Sequence, residues 1–139
     1  MIERYETLKA EILEKSDRWR TAMDLGWLAI DHTFVEGFSE EDAQTICETN
    51  SHWEYREARI RWYMASASRL TEKELDLTVL HELVHTITDP MEKHVKNAYS
   101  EQCEYVVTCI SKAILATRDY YEAPAGSRLP MSFNEALER

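Results

Sequence analysis

The chain of 139 residues carries 26 acidic against 16 basic side chains, a formal net charge of −10. A balance this acidic disfavours nucleic acid and anionic membranes as partners and suits a basic protein or peptide. With 44% hydrophobic and 30% charged residues, and only three Gly and three Pro, it reads as one soluble globular domain over residues 1–139, large enough to bury a core.

No apolar run is long enough to cross a membrane, and the charged start Met-Ile-Glu-Arg-Tyr-Glu lacks the core of a signal peptide. Cys47, Cys103 and Cys109 form no C-x-x-C pair. An odd count gives no closed disulfide framework and suits a reducing cytoplasm.

In chain order, residues 2–23 read as an amphipathic helix, with Ile2, Tyr5, Leu8, Ile12, Trp19 and Met23 at helical spacing. Gly26 then breaks the pattern. From residue 27 to 35 the period changes to two, as in a strand, with Leu28, Ile30, His32 and Phe34 on one side. Gly37 and the acidic run at 39–42 read as a loop. A second strand is predicted over 43–49, with Asn50-Ser51-His52 as turn residues. A third follows, with Ala58, Ile60, Trp62 and Met64 on one face and Arg59, Arg61 and Tyr63 on the other. The last two strands form an antiparallel hairpin, and 59–63 is a candidate edge for pairing with an extended peptide. His32 and His52 have no ligand spacing and read as structural or exposed.

Thr71-Glu72-Lys73-Glu74 fits a capping box at the start of the next helix. That helix carries Leu75, Leu77, Val79, Leu80, Leu83, Val84 and Ile87, so it is apolar around much of its girth. Asp89-Pro90 is expected to end it. A last helix is predicted over 100–120, with Cys103, Val106, Val107, Ile110, Ala113 and Ile114 as its apolar arc. Residues 123–139 read as an irregular C-terminal tail, with a short cap at 132–135.

Within the buried helix stands His81-Glu82-Leu83-Val84-His85, an H-E-x-x-H motif. Positions i and i+4 share a helix face, so both imidazoles can reach one metal ion, while Glu82 is placed to handle a water proton rather than to bind the metal. Two His and a Glu on a buried helix need partners, and a metal ion would satisfy all three. Catalytic zinc takes three protein ligands and leaves a position for water. Thr88 and Met91 stand where a metzincin would have Gly and His, which excludes that class.

The candidates for a third ligand are Glu104, Glu101 and His94. At about 100° per residue, Glu104 lies about 120° from the centre of the apolar arc and Glu101 about 180°. Glu104 is therefore at the edge of the core and Glu101 nearer to water. His94 lies in the connection after the motif.

The motif, followed by a helix bearing Glu104-Tyr105-Val106-Val107, resembles the gluzincin metallopeptidases. It is also similar to the small metallopeptidases encoded by phages and prophages, in which a strand pair precedes H-E-L-x-H. The resemblance covers about residues 55–115. It implies an α+β fold of the minimal zincin type: an N-terminal helix, a small antiparallel or mixed sheet, the motif helix and a Glu-bearing helix. It also implies zinc on His81, His85 and Glu104, Glu82 as general base, and a peptide or protein substrate. His94, Tyr99, Tyr120 and Tyr121 are candidate donors to the oxyanion. Thr108 stands one turn after Glu104, where many gluzincins carry Asp or Ser. Two other readings compete: a non-catalytic interaction protein that uses zinc to close its core, and an acidic inhibitor or nucleic-acid mimic.

Overall fold

The computed structural model describes residues 2–122, apart from the side chains of Ile2, Glu3, Lys96, Asn97, Tyr120 and Tyr121. The tail at 123–139 and its cap at 132–135 lie outside these. By packing, the chain divides into two units, Met1–Pro90 and Met91–Arg139, and each is taken by itself.

In the first unit a 3₁₀ turn at Ile2–Tyr5 leads into helix α1, Glu6–Ala22. Ile12, Lys15, Ser16 and Trp19 are buried, at the i, i+3, i+4, i+7 spacing of one helix face. The helix is not stopped by Gly26. Asp24 adopts the left-handed conformation at φ 55°. Leu25 N–H returns to the Arg20 carbonyl at 2.8 Å and Asp24 N–H to Thr21 at 3.2 Å, the bonding of a Schellman motif. Asp does there what Gly does more often, because its short side chain tolerates the left-handed region.

Strands β1 (Ala29–Val35), β2 (Cys47–His52) and β3 (Glu57–Tyr63) form one mixed sheet in the order β1-β3-β2. β1 runs parallel to β3, from Ala29 opposite Glu57 to Val35 opposite Tyr63. β2 runs antiparallel to β3, from Cys47 opposite Trp62 to His52 opposite Glu57. The alternation of β3 is as expected through Trp62: Ala58, Ile60 and Trp62 are buried, and Glu57, Arg59 and Arg61 are exposed, whereas Tyr63, expected beside the two Arg, is buried. Two expectations fail. The 59–63 segment is the central strand, flanked on both sides, so it offers no free edge. The second strand is Cys47–His52 rather than 43–49, and Asn50-Ser51-His52 belong to it. The turn falls instead on Trp53–Tyr55, with Arg56 left-handed at φ 57°. Pairing with β3 outweighs the local turn preference of Asn and Ser.

α2 (Met64–Ala67) leaves the sheet, and α3 spans Glu72–Glu122. The capping box is present: Thr71 N–H donates to Glu74 Oε2 at 2.7 Å, and Glu74 N–H to Thr71 Oγ1 at 3.2 Å. Leu75, Val79, Leu80, Leu83 and Val84 are buried, whereas Ile87 is half exposed. Each such buried aliphatic contributes about 1.5–3 kcal/mol. Pro90 does not end the helix, contrary to expectation. Helical geometry continues past it and breaks at Tyr99, at φ −134° and ψ 32°, so Glu72–Glu122 is two helices in succession. A proline removes one rung of the ladder, and here that is insufficient to stop the helix.

In the second unit the buried face of the last helix is Val107, Ser111, Leu115 and Ala116. The arc expected around Cys103 and Ile110 is therefore misplaced by about a quarter turn. Val106 and Ile110 are exposed, and the Ser111 hydroxyl, fully buried, donates to the Val107 carbonyl at 2.7 Å. The fold class is α+β, with a small mixed sheet. Among the described residues, no helix is long and apolar enough to cross a membrane.

Candidate metal centre

His81 and His85 stand one turn apart on α3, both half-buried. Their Nε2 atoms approach to 3.1 Å, with ring centroids 4.8 Å apart and the planes at 74°. Two nitrogens about 2.0–2.1 Å from a tetrahedral zinc lie about 3.3 Å from each other. The separation in the structure is within a few tenths of an ångström of that value, so the pair fits two positions of one tetrahedral ion. Such binding needs both Nε2 atoms unprotonated, with the remaining proton of each ring on Nδ1.

Glu82 is buried, at 8% exposure, on the side of α3 turned to the sheet. Its Oε2 accepts a hydrogen bond from the Thr49 hydroxyl on β2. The Cys47 thiol, two residues earlier on the same face of β2, lies against the same carboxylate. Burial and then the Glu82 charge push the Cys47 thiol well above its ordinary pKa, so it stays protonated.

The position of α3 against the sheet follows from bonds laid down elsewhere in this unit. Trp19 on α1 donates its indole N–H to Asp76 at 2.7 Å, one and a half turns before Glu82. Trp62 on β3 donates to His32 Nδ1 at 3.1 Å. An indole nitrogen can only donate, so His32 Nδ1 is unprotonated and Nε2–H points at Ser16 Oγ on α1, 3.0 Å away. His32 is thus a structural crosslink between sheet and helix, as its lack of ligand spacing suggested. His52 is exposed.

Glu101 and Glu104 lie on the last helix of the second unit, both exposed. Glu104 falls on the helical line of Val107, Ser111 and Leu115, nearer to the buried arc than expected, and Glu101 is rotated away from it by about 60°. His94 and Tyr99 are exposed, and the side chains of Tyr120 and Tyr121 are outside those described. Thr49 and Cys47 are the residues that sequence reading missed. No spacing rule links them to the motif. Only the register of β2, which turns positions 47, 49 and 51 inward, brings them to it.

Comparison with family models, with curated proteins and with solved structures returns no match.

Proposed function

We propose that the chain is a zinc-dependent hydrolase of the gluzincin type, a metallopeptidase akin to those small phage and prophage enzymes. One observation carries this reading: two imidazole nitrogens lie 3.1 Å apart on a helix whose intervening Glu82 holds a buried carboxylate bonded by a hydroxyl. In this reading His81 and His85 present their Nε2 lone pairs to the metal, and Glu104 supplies the third ligand. Zinc, when bound, supplies Lewis acidity and lowers the pKa of its water towards ~7. Glu82 accepts the proton of the attacking water and delivers it to the leaving amine nitrogen. The half-buried His pair keeps the ligands partly desolvated, which strengthens their hold on a cation. The substrate is a peptide or protein, and a basic one suits the net charge of −10. A cytoplasmic setting belongs to the same reading and is supported by three free cysteines.

The deciding experiment compares wild type with Glu82→Gln and His81→Ala on a mixed peptide library, each after zinc loading. Glu82→Gln keeps zinc and fold but loses hydrolysis by about 10²–10⁴-fold, the range of general acid–base catalysis. His81→Ala loses zinc. Equal cleavage by wild type and Glu82→Gln would remove Glu82 from the reaction. Zinc retention without any cleavage by wild type would favour a metal that serves only to close the fold.

A further inference from the structure

We propose that Thr49 is a positioning residue for Glu82, fixing the carboxylate from the edge strand β2; this rests on the hydrolase reading above. A glutamate that moves protons must be held within hydrogen-bond reach of the reacting water, and its side chain has three torsions to restrain. α3 fixes only the Cα of Glu82. The Thr49 hydroxyl donates to Oε2 and removes the remaining freedom.

The placement of that hydroxyl is stiff for two reasons. Thr is β-branched, with few χ1 states in a strand. Its backbone pairs with Ile60, which is fully buried at the centre of the sheet. The hydroxyl position is therefore inherited from the core and not from a loop, the arrangement that holds site geometry best. Cys47 packs against the same carboxylate with a thiol that burial and the Glu82 charge keep protonated. Thr49 touches neither metal nor substrate in this scheme; it acts through Glu82.

The test uses the full chain with zinc, as wild type, Thr49→Val, Thr49→Ser and Glu82→Gln. A mixed library of fluorogenic peptides is screened first, and the best-cleaved member is used for kinetics. Thr49→Val is isosteric and lacks the hydroxyl. It is expected to keep about one zinc per chain and an unchanged KM, with kcat lowered about 10–100-fold, as for a modest misplacement of a reacting group. Thr49→Ser restores the hydroxyl and recovers kcat to within severalfold. A readout independent of turnover is the unfolding equilibrium of the metal-free protein in the cycle of Thr49→Val and Glu82→Gln. The two changes are expected to be non-additive by at least about threefold, as for residues in direct contact.

Wild-type kcat in Thr49→Val overturns the proposal, and so does strict additivity in the cycle. Loss of zinc from Thr49→Val also overturns it, because that marks a structural role. If zinc-loaded wild type cleaves nothing, the hydrolase reading fails and the catalytic role of Thr49 with it; a non-additive cycle then identifies a purely structural pair.

Discussion

The indole of Trp19 and the carboxylate of Asp76, 57 positions apart in the chain, meet at 2.7 Å. Both residues are buried, and the Arg18 guanidinium stands 3.6 Å from the same carboxylate. This contact fixes the rotation of α3 about its axis against α1. The same rotation turns Glu82 to β2 and His81 and His85 towards the half-exposed side.

Asp76→Ala is accordingly expected to destabilise the protein by about 1–3 kcal/mol, since it leaves a buried indole N–H without its acceptor. Denaturant unfolding measures this directly. A variant as stable as wild type would show that water replaces the carboxylate at no cost, and that the contact does not set the rotation of α3.

A pH dependence follows from His32. Burial, with a smaller push from Arg20, holds its imidazole below its ordinary pKa, against the pull of Asp17 and Asp31. The unfolded chain therefore binds this proton more readily, and the stability that neutral His32 contributes is complete above about pH 6.5. It is lost as pH falls through the folded pKa, when a proton on Nδ1 would also displace the Trp62 donor. Between about pH 7.5 and about pH 5, wild type should lose more of its denaturant midpoint than His32→Gln, because the titration of other groups is common to both. Parallel losses in the two proteins would remove His32 as the source.

On the zinc reading, the purified protein carries about one zinc per chain, and chelation lowers its melting temperature, because ligand binding and folding are coupled. Elemental analysis and a melting curve before and after dialysis against chelator decide it. An unchanged curve with no zinc present would end the metal reading.

The choice of third ligand is tested by conservative replacement. Glu104→Gln is expected to weaken zinc binding by at least about tenfold, with Glu101→Gln near neutral, since only Glu104 shares the helical line of Val107 and Ser111. Competition with a chromogenic chelator measures both. Equal losses, or loss in Glu101→Gln alone, would transfer the ligand role.

What the sequence disclosed was what depends on neighbours along the chain. The capping box at Thr71 and Glu74, the stripe of α1 and the alternation of β3 are short-range patterns, and all three are present. The pairing of two His at i and i+4 belongs to the same class. The failures share a different origin. Nothing near residue 59 reveals that β1 will pair on its far side, so a central strand read as an edge. Turn chemistry at Asn50-Ser51-His52 was overridden by partners on β3. Pro90 was given more power than a single lost rung has, and the break at Tyr99 carries no Gly or Pro to announce it. In the last helix, apolar side chains are spread so widely that the arc centres on Cys103 and Ile110 by sequence although Val107 is the buried one, and the fully buried Ser111 is invisible to a count of apolar residues.

The inward set of β2 is read in steps of two: Cys47, Thr49 and Ser51 face α3 or the core, while Glu48, Asn50 and His52 face away. Chain-length variation should therefore be partitioned unevenly. Changes of length in the connection at 36–46 leave the strand in phase as long as the chain still crosses β3 to reach β2 and Ile46 keeps its carbonyl on Tyr63 N–H. Within β2 itself, a single inserted or deleted residue between 47 and 51 would replace the Thr49 hydroxyl by its neighbour. With Glu48 turned inward, two carboxylates would confront each other across a buried gap. Deletion scanning of 36–52 should thus give smaller losses in the exposed part of the connection at 40–42 than anywhere from Ile46 to the end of the strand.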